Sequence, residues 1–189
     1  PEDQVHVLLR FLVDARAQPR GAPRLNPRVD EKAKKDMDLI LWRHAEAEDW
    51  TEGCDDLQRS LTGRGEKQAK RMAAWLDRQL PEGTRILSSP ARRCEQTVLA
   101  LGRKYKTRDE LKPDAGAEAL LEAAGWPNGK SVVLLVGHQP ALGQAVARLL
   151  GLKQDSCAVR KGAVWWLRTR ERDGEVQTVM VTVQAPELL

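Results

Sequence analysis

Two of the three histidines in this 189-residue chain directly follow apolar stretches that are typical of buried strands. His44, with Arg43 before it, comes after the run LILW at 39–42, and His138 comes after SVVLLVG at 131–137. Neutral imidazole is a nucleophile near pH 7, and a guanidinium binds two phosphoryl oxygens through its planar fork. The pairing of His44 with Arg43 therefore suits a site that attacks phosphorus.

A third apolar stretch, RILS at 85–88, also runs into basic residues. The segment SSPARRCEQT at 88–97 follows it and places Arg92 and Arg93 in the first turn of a predicted helix. Ligands of open α/β sheets bind beyond the carboxyl ends of the parallel strands, where helix N-termini favour anions. We therefore expect the three strand ends to form one anion-binding pocket.

The spacing of apolar residues predicts the helices that alternate with these strands. Residues 62–80 carry apolar side chains at helical spacing, with Thr62 as the N-cap. A second helix is expected over 90–105 and a third over 140–150, each opened by a proline. This alternation predicts an α/β fold with a mostly parallel sheet that is covered on both faces.

The end of the chain has a different pattern. The apolar segments GAVWWLRT at 162–169 and EVQTVMVTVQ at 175–184 flank a turn signal at 172–174. Two such segments around a short turn predict a β-hairpin. The sheet is therefore expected to carry a C-terminal antiparallel hairpin.

Composition narrows the function classes. The net charge of +4 is modest and spread along the chain, so it fits an anionic substrate as well as it fits nucleic acid. Most of the six tryptophans lie in strand or helix patterns, which favours a core role over base stacking, and we expect no nucleic-acid partner. Trp50 and Trp126 are placed in loops near the expected pocket. Three cysteines without a C-x-x-C pair predict neither a disulfide framework nor a zinc site, and a reducing cytoplasmic setting is expected.

The first 36 residues differ from the rest. A short amphipathic helix is expected near the N-terminus, followed by a basic, proline-rich linker over 18–36. We interpret residues 1–36 as an extension that suits a protein partner, and residues 37–189 as the main domain. No apolar run has the roughly 20 residues that a membrane span needs, so no membrane association is expected.

Four segments in this order resemble the histidine phosphatase superfamily, which is also called the phosphoglycerate mutase-like family. They are LWRHAEAED at 41–49, RSLTGRGEKQA at 59–69, SSPARRCEQT at 88–97 and VGHQP at 136–140. The short length, the RHA triplet, and the compact segment between the second and third strands resemble the SixA-type phosphohistidine phosphatase branch. The resemblance covers residues 37 to about 185 and implies a three-layer α/β/α sandwich.

The resemblance also implies a role for each matching residue. His44 would be the residue that becomes phosphorylated, with Arg43 and His138 as further catalytic residues. Arg43, Arg59, Arg93 and His138 would hold the phosphoryl oxygens, with Arg93 rather than Arg92 in the family register. Side chains would supply all the positive charge, so no metal and no cofactor is expected. The implied function is a metal-independent phosphatase that acts on phosphohistidine protein or on a small phosphate compound.

The sequence leaves four candidates for the residue that protonates the leaving group. Glu110, Asp114 and Glu118 all lie in the segment DELKPDAGAEALLEAAG, and Asp56 lies close to Arg59 in the sequence. Without a strong acid, good leaving groups such as phosphohistidine are favoured over alkyl phosphates.

The sequence also bears on other possible functions. A zinc deaminase is excluded because the sequence has no P-C-x-x-C, and a P-loop enzyme because it has no G-x-x-x-x-G-K-[ST]. A mutase is less favoured because the chain lacks long insertions between its motifs. The main alternative is a non-catalytic module that binds a phosphate or a phosphoprotein through the same pocket.

Overall fold

The computed structural model describes residues 36–129, 131–172 and 175–189. The predicted N-terminal extension, residues 1–36, lies outside this range except for Asp36. No helix within the described ranges combines the length and hydropathy that crossing a membrane requires.

Within the described residues, six strands form one mixed sheet in the order β3-β2-β4-β1-β5-β6. The strands are β1 (Asp38–Arg43), β2 (Arg85–Ser88), β3 (Lys106–Thr107), β4 (Val133–Gly137), β5 (Val164–Arg172) and β6 (Glu175–Gln184). The first four are parallel, while β5 and β6 form an antiparallel hairpin that pairs with β1. The predicted parallel sheet with its C-terminal hairpin is confirmed.

Helices cover both faces of the sheet. They are α1 (Gly63–Gln79), α2 (Arg92–Leu99), α3 (Ala117–Ala124) and α4 (Ala141–Leu149). Strand β1 is buried on both sides because Leu39 and Leu41 pack with α3 and α4, whereas Ile40 and Trp42 pack with α1 and α2. This three-layer packing explains the unbroken apolar run of β1, since neither face meets water.

The three predicted helices are present, but their ends differ from the predicted ones. Helix α1 begins after Thr62, whose side chain accepts a hydrogen bond from the Gly65 N–H at 3.0 Å, so the predicted N-cap is confirmed. Helix α4 matches its prediction to within one residue at each end. The prediction of one helix over 90–105 was wrong in length, because α2 ends at Leu99 and Gly102 then turns the chain at φ 68°.

Two elements were missed by the sequence reading. Strand β3 has only two residues and both are exposed, so it has no apolar pattern. Helix α3 has eight residues and lacks a side-chain N-cap hydrogen bond, although its left-handed C-cap, Gly125, is a typical stop signal. Both lie between the second and third predicted strands, in a segment for which the sequence patterns predict neither of these two elements.

Candidate active site

A pocket of about 260 Å³ lies where the carboxyl ends of β1 and β4 meet. It is lined by Arg43, His44, Ala47, Asp56, Arg59, Arg93, Pro113, His138, Gln139 and Lys161. All five residues that the sequence placed around the phosphoryl group are therefore brought together. Arg92, the rejected neighbour of Arg93, does not line the pocket.

His44 is held by its backbone and by one ring nitrogen. Its amide donates to the Gly137 carbonyl at 3.1 Å, which fixes it beside the end of β4. Its Nδ1 lies 2.7 Å from the carbonyl oxygen of Ala45. Because a carbonyl only accepts, Nδ1 carries the proton and Nε2 keeps its lone pair in the neutral ring. This is the tautomer that a nucleophilic histidine needs.

Burial and nearby charge keep His44 neutral. The side chain is 6% exposed, and burial is the largest effect that lowers its pKa. The hydrogen bond to Ala45 opposes the shift, but the cations Arg93, Arg43 and Lys161 add to it, and the pKa falls to about 3. The His44 imidazole is therefore uncharged throughout the neutral pH range, with the Nε2 lone pair available.

A turn at residues 159–163, just before β5, supports the end of β1. The Arg43 guanidinium donates through Nη1 to the Val159 carbonyl at 2.7 Å. The Gly162 N–H donates to the His44 carbonyl at 3.0 Å, and the Trp42 indole donates to the Gly162 carbonyl at 3.0 Å. Gly162 has φ 74°, a conformation that other residues rarely adopt. The 159–163 turn thus fixes the backbone that carries the histidine and its arginine.

Asp56 joins the other two arginines of the pocket. Arg93, which is 2% exposed, donates through Nη1 to the Asp56 carbonyl at 2.6 Å and through Nη2 to Asp56 Oδ2 at 2.8 Å. Arg59 donates through Nε to Asp56 Oδ1 at 2.8 Å, and its Nη1 donates to the Glu48 carbonyl at 2.8 Å. The two guanidiniums are therefore linked through one carboxylate.

The charge state of Asp56 follows from these partners. Burial alone would raise its pKa, but the hydrogen bonds and charges of Arg93 and Arg59 outweigh that effect and hold the pKa below the usual range. An ionised carboxylate bound to two arginines has no proton to donate. Asp56 therefore lines the pocket as an anion that holds the guanidiniums of Arg59 and Arg93 in place.

His138 lies opposite His44, with the two ring centroids 5.1 Å apart. It follows β4 directly and is 4% exposed. Its Nε2 lies 2.9 Å from Ser89 Oγ and 3.4 Å from Cys94 Sγ. Burial first, and then the proximity of His44 and Arg93, lower its pKa to about 2. In the free protein His138 is therefore neutral.

The three other candidate acids lie elsewhere. Glu110, Asp114 and Glu118 are exposed, and none lines the pocket. Their neighbour Pro113 does, so the segment reaches the pocket without bringing a carboxylate. Within the described residues, Asp56 is the only carboxylate that lines it.

Sequence reasoning missed Lys161 and Gln139 as pocket residues. Lys161 sits in the 159–163 turn, and no motif marked it, although a lysine just before a predicted strand was a usable signal. Gln139 follows His138, and its amide accepts from the Gly143 N–H at 2.7 Å and donates to the Cys157 carbonyl at 2.9 Å. Trp50 and Trp126 lie in loop and turn segments, as expected, but neither lines the pocket.

The pocket combines neutral imidazoles with several cations. Arg43, Arg59, Arg93 and Lys161 bring four positive charges, and Asp56 brings one negative charge. Such an array suits a dianionic oxyanion, because its cations can stabilise charge that builds up on the oxygens. Among the described residues, no group of three or more His, Cys, Asp or Glu side chains is arranged to hold a metal.

Comparisons with known proteins show which proteins this chain is similar to. A family model described as "Histidine phosphatase superfamily (branch 1)" matches residues 39–116. The phosphohistidine phosphatase SixA of Escherichia coli is 33% identical over 121 residues, which cover 60% of this chain and 74% of the relative. A phosphohistidine phosphatase SixA homolog of Haemophilus influenzae is 31% identical over 130 residues, covering 61% of this chain and 78% of the relative.

A solved SixA structure is similar to this chain in fold. The protein histidine phosphatase SixA complexed with tungstate superposes with a TM-score of 0.66 at 25% identity. The match covers 80% of this chain and 99% of that one.

Proposed function

The chain belongs to the histidine phosphatase superfamily, and from this premise we propose that it hydrolyses a phosphoryl group through a phosphohistidine intermediate on His44. The observation that carries the proposal is the 2.7 Å contact between His44 Nδ1 and the Ala45 carbonyl. It leaves the Nε2 lone pair free in a pocket that also contains Arg43, Arg59 and Arg93. Side chains provide the positive charge, so the reaction is proposed to be metal-independent.

In the first step, Nε2 of His44 attacks phosphorus. The new N–P bond forms as the bond between phosphorus and the leaving group breaks, and the leaving group departs with its electron pair. The phosphoryl oxygens carry the developing charge, and the guanidiniums of the pocket stabilise it. Loss of one such donor typically lowers the rate by about 10²–10³.

In the second step, a water molecule attacks the phosphorus of phospho-His44. The N–P bond breaks, its electron pair returns to Nε2, and inorganic phosphate leaves with the oxygen of the water. The hydrogen bond from Nδ1 to Ala45 keeps the ring in place through both steps. His44 is then neutral and ready for another substrate.

The leaving group decides which phosphates suit this site. Asp56 lines the pocket as an ionised carboxylate, and the other candidate acids are exposed outside it. An alkoxide leaving group needs a proton from an acid, whereas a phosphohistidine that is protonated on its other ring nitrogen releases neutral imidazole, whose conjugate acid has a pKa near 6.5. We therefore propose phosphohistidine on a protein as the substrate, with a small phosphate compound of good leaving ability as the second choice. The names of the two SixA relatives support this choice.

A direct assay tests the proposal. The full chain is assayed on an aryl phosphate and on a phosphohistidine protein, with and without EDTA, beside His44→Ala. We expect turnover of both substrates that survives EDTA, with higher kcat/KM on phosphohistidine, and no turnover by His44→Ala. Rapid hydrolysis of an alkyl phosphomonoester with phosphohistidine untouched would contradict the substrate class. Tight phosphate binding with no turnover of any substrate would favour a binding module instead.

A further inference from the structure

Ser89 lies directly behind the second histidine of the pocket. It follows β2, and its side chain is fully buried. Its Oγ lies 2.9 Å from His138 Nε2 and accepts a hydrogen bond from the Ala91 N–H at 3.2 Å. The contact between Ser89 and His138 joins two strand ends that are separated by 49 residues in the sequence.

The donors around His138 Nε2 define its protonation. A serine hydroxyl has one O–H and two lone pairs, and the Ala91 N–H already occupies one lone pair. The second neighbour of Nε2, Cys94, is a thiol because burial raises its pKa above the usual range, so it too has a hydrogen to donate. Because the Ser89 O–H and the Cys94 S–H can both donate to it, Nε2 of His138 is expected to accept a hydrogen bond rather than to carry a proton. The proton of neutral His138 then sits on Nδ1.

The other ring nitrogen has the opposite surroundings. His138 Nδ1 is buried and has no hydrogen-bond partner among the residues that the structure describes. It belongs to a side chain that lines the pocket, 5.1 Å between ring centroids from the nucleophile. A buried N–H without a protein partner is a donor available to a ligand.

We propose that Ser89 is a positioning residue that holds His138 in the Nδ1–H tautomer, so that uncharged His138 donates this proton in a hydrogen bond to a phosphoryl oxygen. No proton is transferred in this role, because His138 only shares the hydrogen with the oxyanion. The inference rests on the proposed function for its second half, since it needs a phosphoryl group in the pocket. The low pKa of His138, caused first by burial and then by His44, agrees with a neutral donor.

Ser89 also caps the start of α2 through Ala91, so a purely structural role must be separated from positioning. Ser88 offers a matched control because it is an equally buried serine next in sequence. Its hydroxyl donates to the Ser89 carbonyl at 3.0 Å and makes no hydrogen bond to either of the described histidines, His44 and His138. Removal of either hydroxyl disturbs the same strand end, but only removal of the Ser89 hydroxyl changes the donor at His138.

The first test is the nitrogen-15 spectrum of the full chain labelled at histidine. Chemical shift separates a protonated ring nitrogen from a bare one, and the His138 signals are assigned by their loss in His138→Gln. We expect a protonated Nδ1 and a bare Nε2 for His138 at neutral pH, and a shift of Nδ1 when inorganic phosphate is added. A protonated Nε2 with a bare Nδ1 in the unmodified protein would overturn the proposal. This readout needs no enzymatic activity, so it stands even if the phosphatase assay fails.

The second test is kinetic. Ser89→Ala should lower kcat/KM on the aryl phosphate about tenfold, less than the 10²–10³ for a direct donor, because Ser89 acts through His138. Ser88→Ala should stay within about twofold of the unmodified protein, and Ser89→Thr should recover most of the loss because it restores a hydroxyl. In Ser89→Ala the His138 spectrum should show increased protonation of Nε2. Equal activity in the two alanine variants, or an unchanged tautomer in Ser89→Ala, would overturn the positioning role.

Discussion

The carboxylate of Asp56 binds the guanidinium of Arg93, with Asp56 Oδ2 2.8 Å from Arg93 Nη2. The arginine side chain is 3% exposed, while that of Asp56 is 40% exposed. A cation buried to this degree needs a counter-ion, which the Asp56 carboxylate supplies, and the Asp56 carbonyl accepts a second hydrogen bond from the same guanidinium. The same carboxylate binds Arg59 at 2.7 Å, so one residue sets the spacing of two pocket cations.

Asp56→Asn should reduce stability because it removes that counter-ion. We expect a loss of roughly 1–2 kcal/mol at pH 7, less than the 3–5 typical of a broken buried pair, because water screens the partly exposed carboxylate. The folded pKa of Asp56 is lowered, so its contribution is present at neutral pH and disappears as the pH falls below about 4. Urea denaturation at several pH values measures this difference.

Asp55→Asn is the matched control for this variant. Asp55 is the N-cap of a short 3-10 turn at Asp56–Gln58, where it accepts a hydrogen bond from the Leu57 N–H at 3.0 Å, and asparagine keeps that role. Its stability should stay close to that of the unmodified protein. Added phosphate should stabilise Asp56→Asn more than it stabilises the unmodified chain, because the ligand replaces the missing negative charge. Equal stability of the two asparagine variants at pH 7 would contradict the counter-ion role.

The two buried histidines should make the fold sensitive to mild acid. Their folded pKa values are lowered to about 3 and about 2, whereas the unfolded value is near 6.5. The unfolded chain therefore binds more protons below pH 6.5, and stability falls as the pH falls. Once the unfolded histidines are protonated, the slope approaches roughly 1.4 kcal/mol per pH unit for each buried histidine. Urea denaturation between pH 6.5 and 5, above the usual carboxylate range, isolates this effect.

His44→Gln and His138→Gln serve as controls for the acid slope. Each should reduce the slope by about one proton, because each removes one group that is neutral when folded and charged when unfolded. A slope that is unchanged in both variants would show that other groups cause the acid sensitivity.

Neutralising the exposed carboxylates should leave the reaction intact. Glu110→Gln, Asp114→Asn and Glu118→Gln, combined in one chain, should keep kcat/KM on phosphohistidine protein within about twofold, as expected for surface substitutions away from the chemistry. The reason is that all three side chains are exposed and outside the pocket lining. A fall of tenfold or more, traced to one position by single variants, would identify a general acid there.

Lys161→Met should weaken substrate binding. Lys161 is an exposed cation of the pocket, so its attraction for a dianion is screened, and we expect KM to rise about two- to fivefold, with a smaller effect at high salt. Arg160→Met is the control, because Arg160 is exposed and adjacent but does not line the pocket. Similar KM values for the two methionine variants would show that Lys161 has no role in binding.

The sequence predicted the sheet and the strand ends well because local patterns determine both. The apolar run at 39–42 and the run before His138 are long enough to identify strands, and parallel strands bring their ends to one edge. Strand β3 and helix α3 were not predicted. The two residues of β3 are exposed, and the eight residues of α3 are too few for a clear helical periodicity.

The finer geometry of the candidate site depends on long-range contacts. Asp56 and Arg93 are 37 residues apart, and no local pattern indicates that the carboxylate binds that guanidinium. The sequence reading placed Asp56 among the possible acids, and only the pairing with two arginines shows why it is ionised. Lys161 reaches the pocket because the 159–163 turn is hydrogen-bonded to β1, which a reading of the turn alone does not reveal.

The 159–163 turn also bears on when the pocket forms during synthesis. A ribosome makes His44, Arg59 and Arg93 early, but Gly162 follows Trp42 only 120 residues later. Until that turn emerges, Arg43 lacks its Val159 partner and the end of β1 lacks its support. A nascent chain therefore carries His44 long before the end of β1 has this support, so we expect the pocket to take its shape only after the 159–163 turn has emerged.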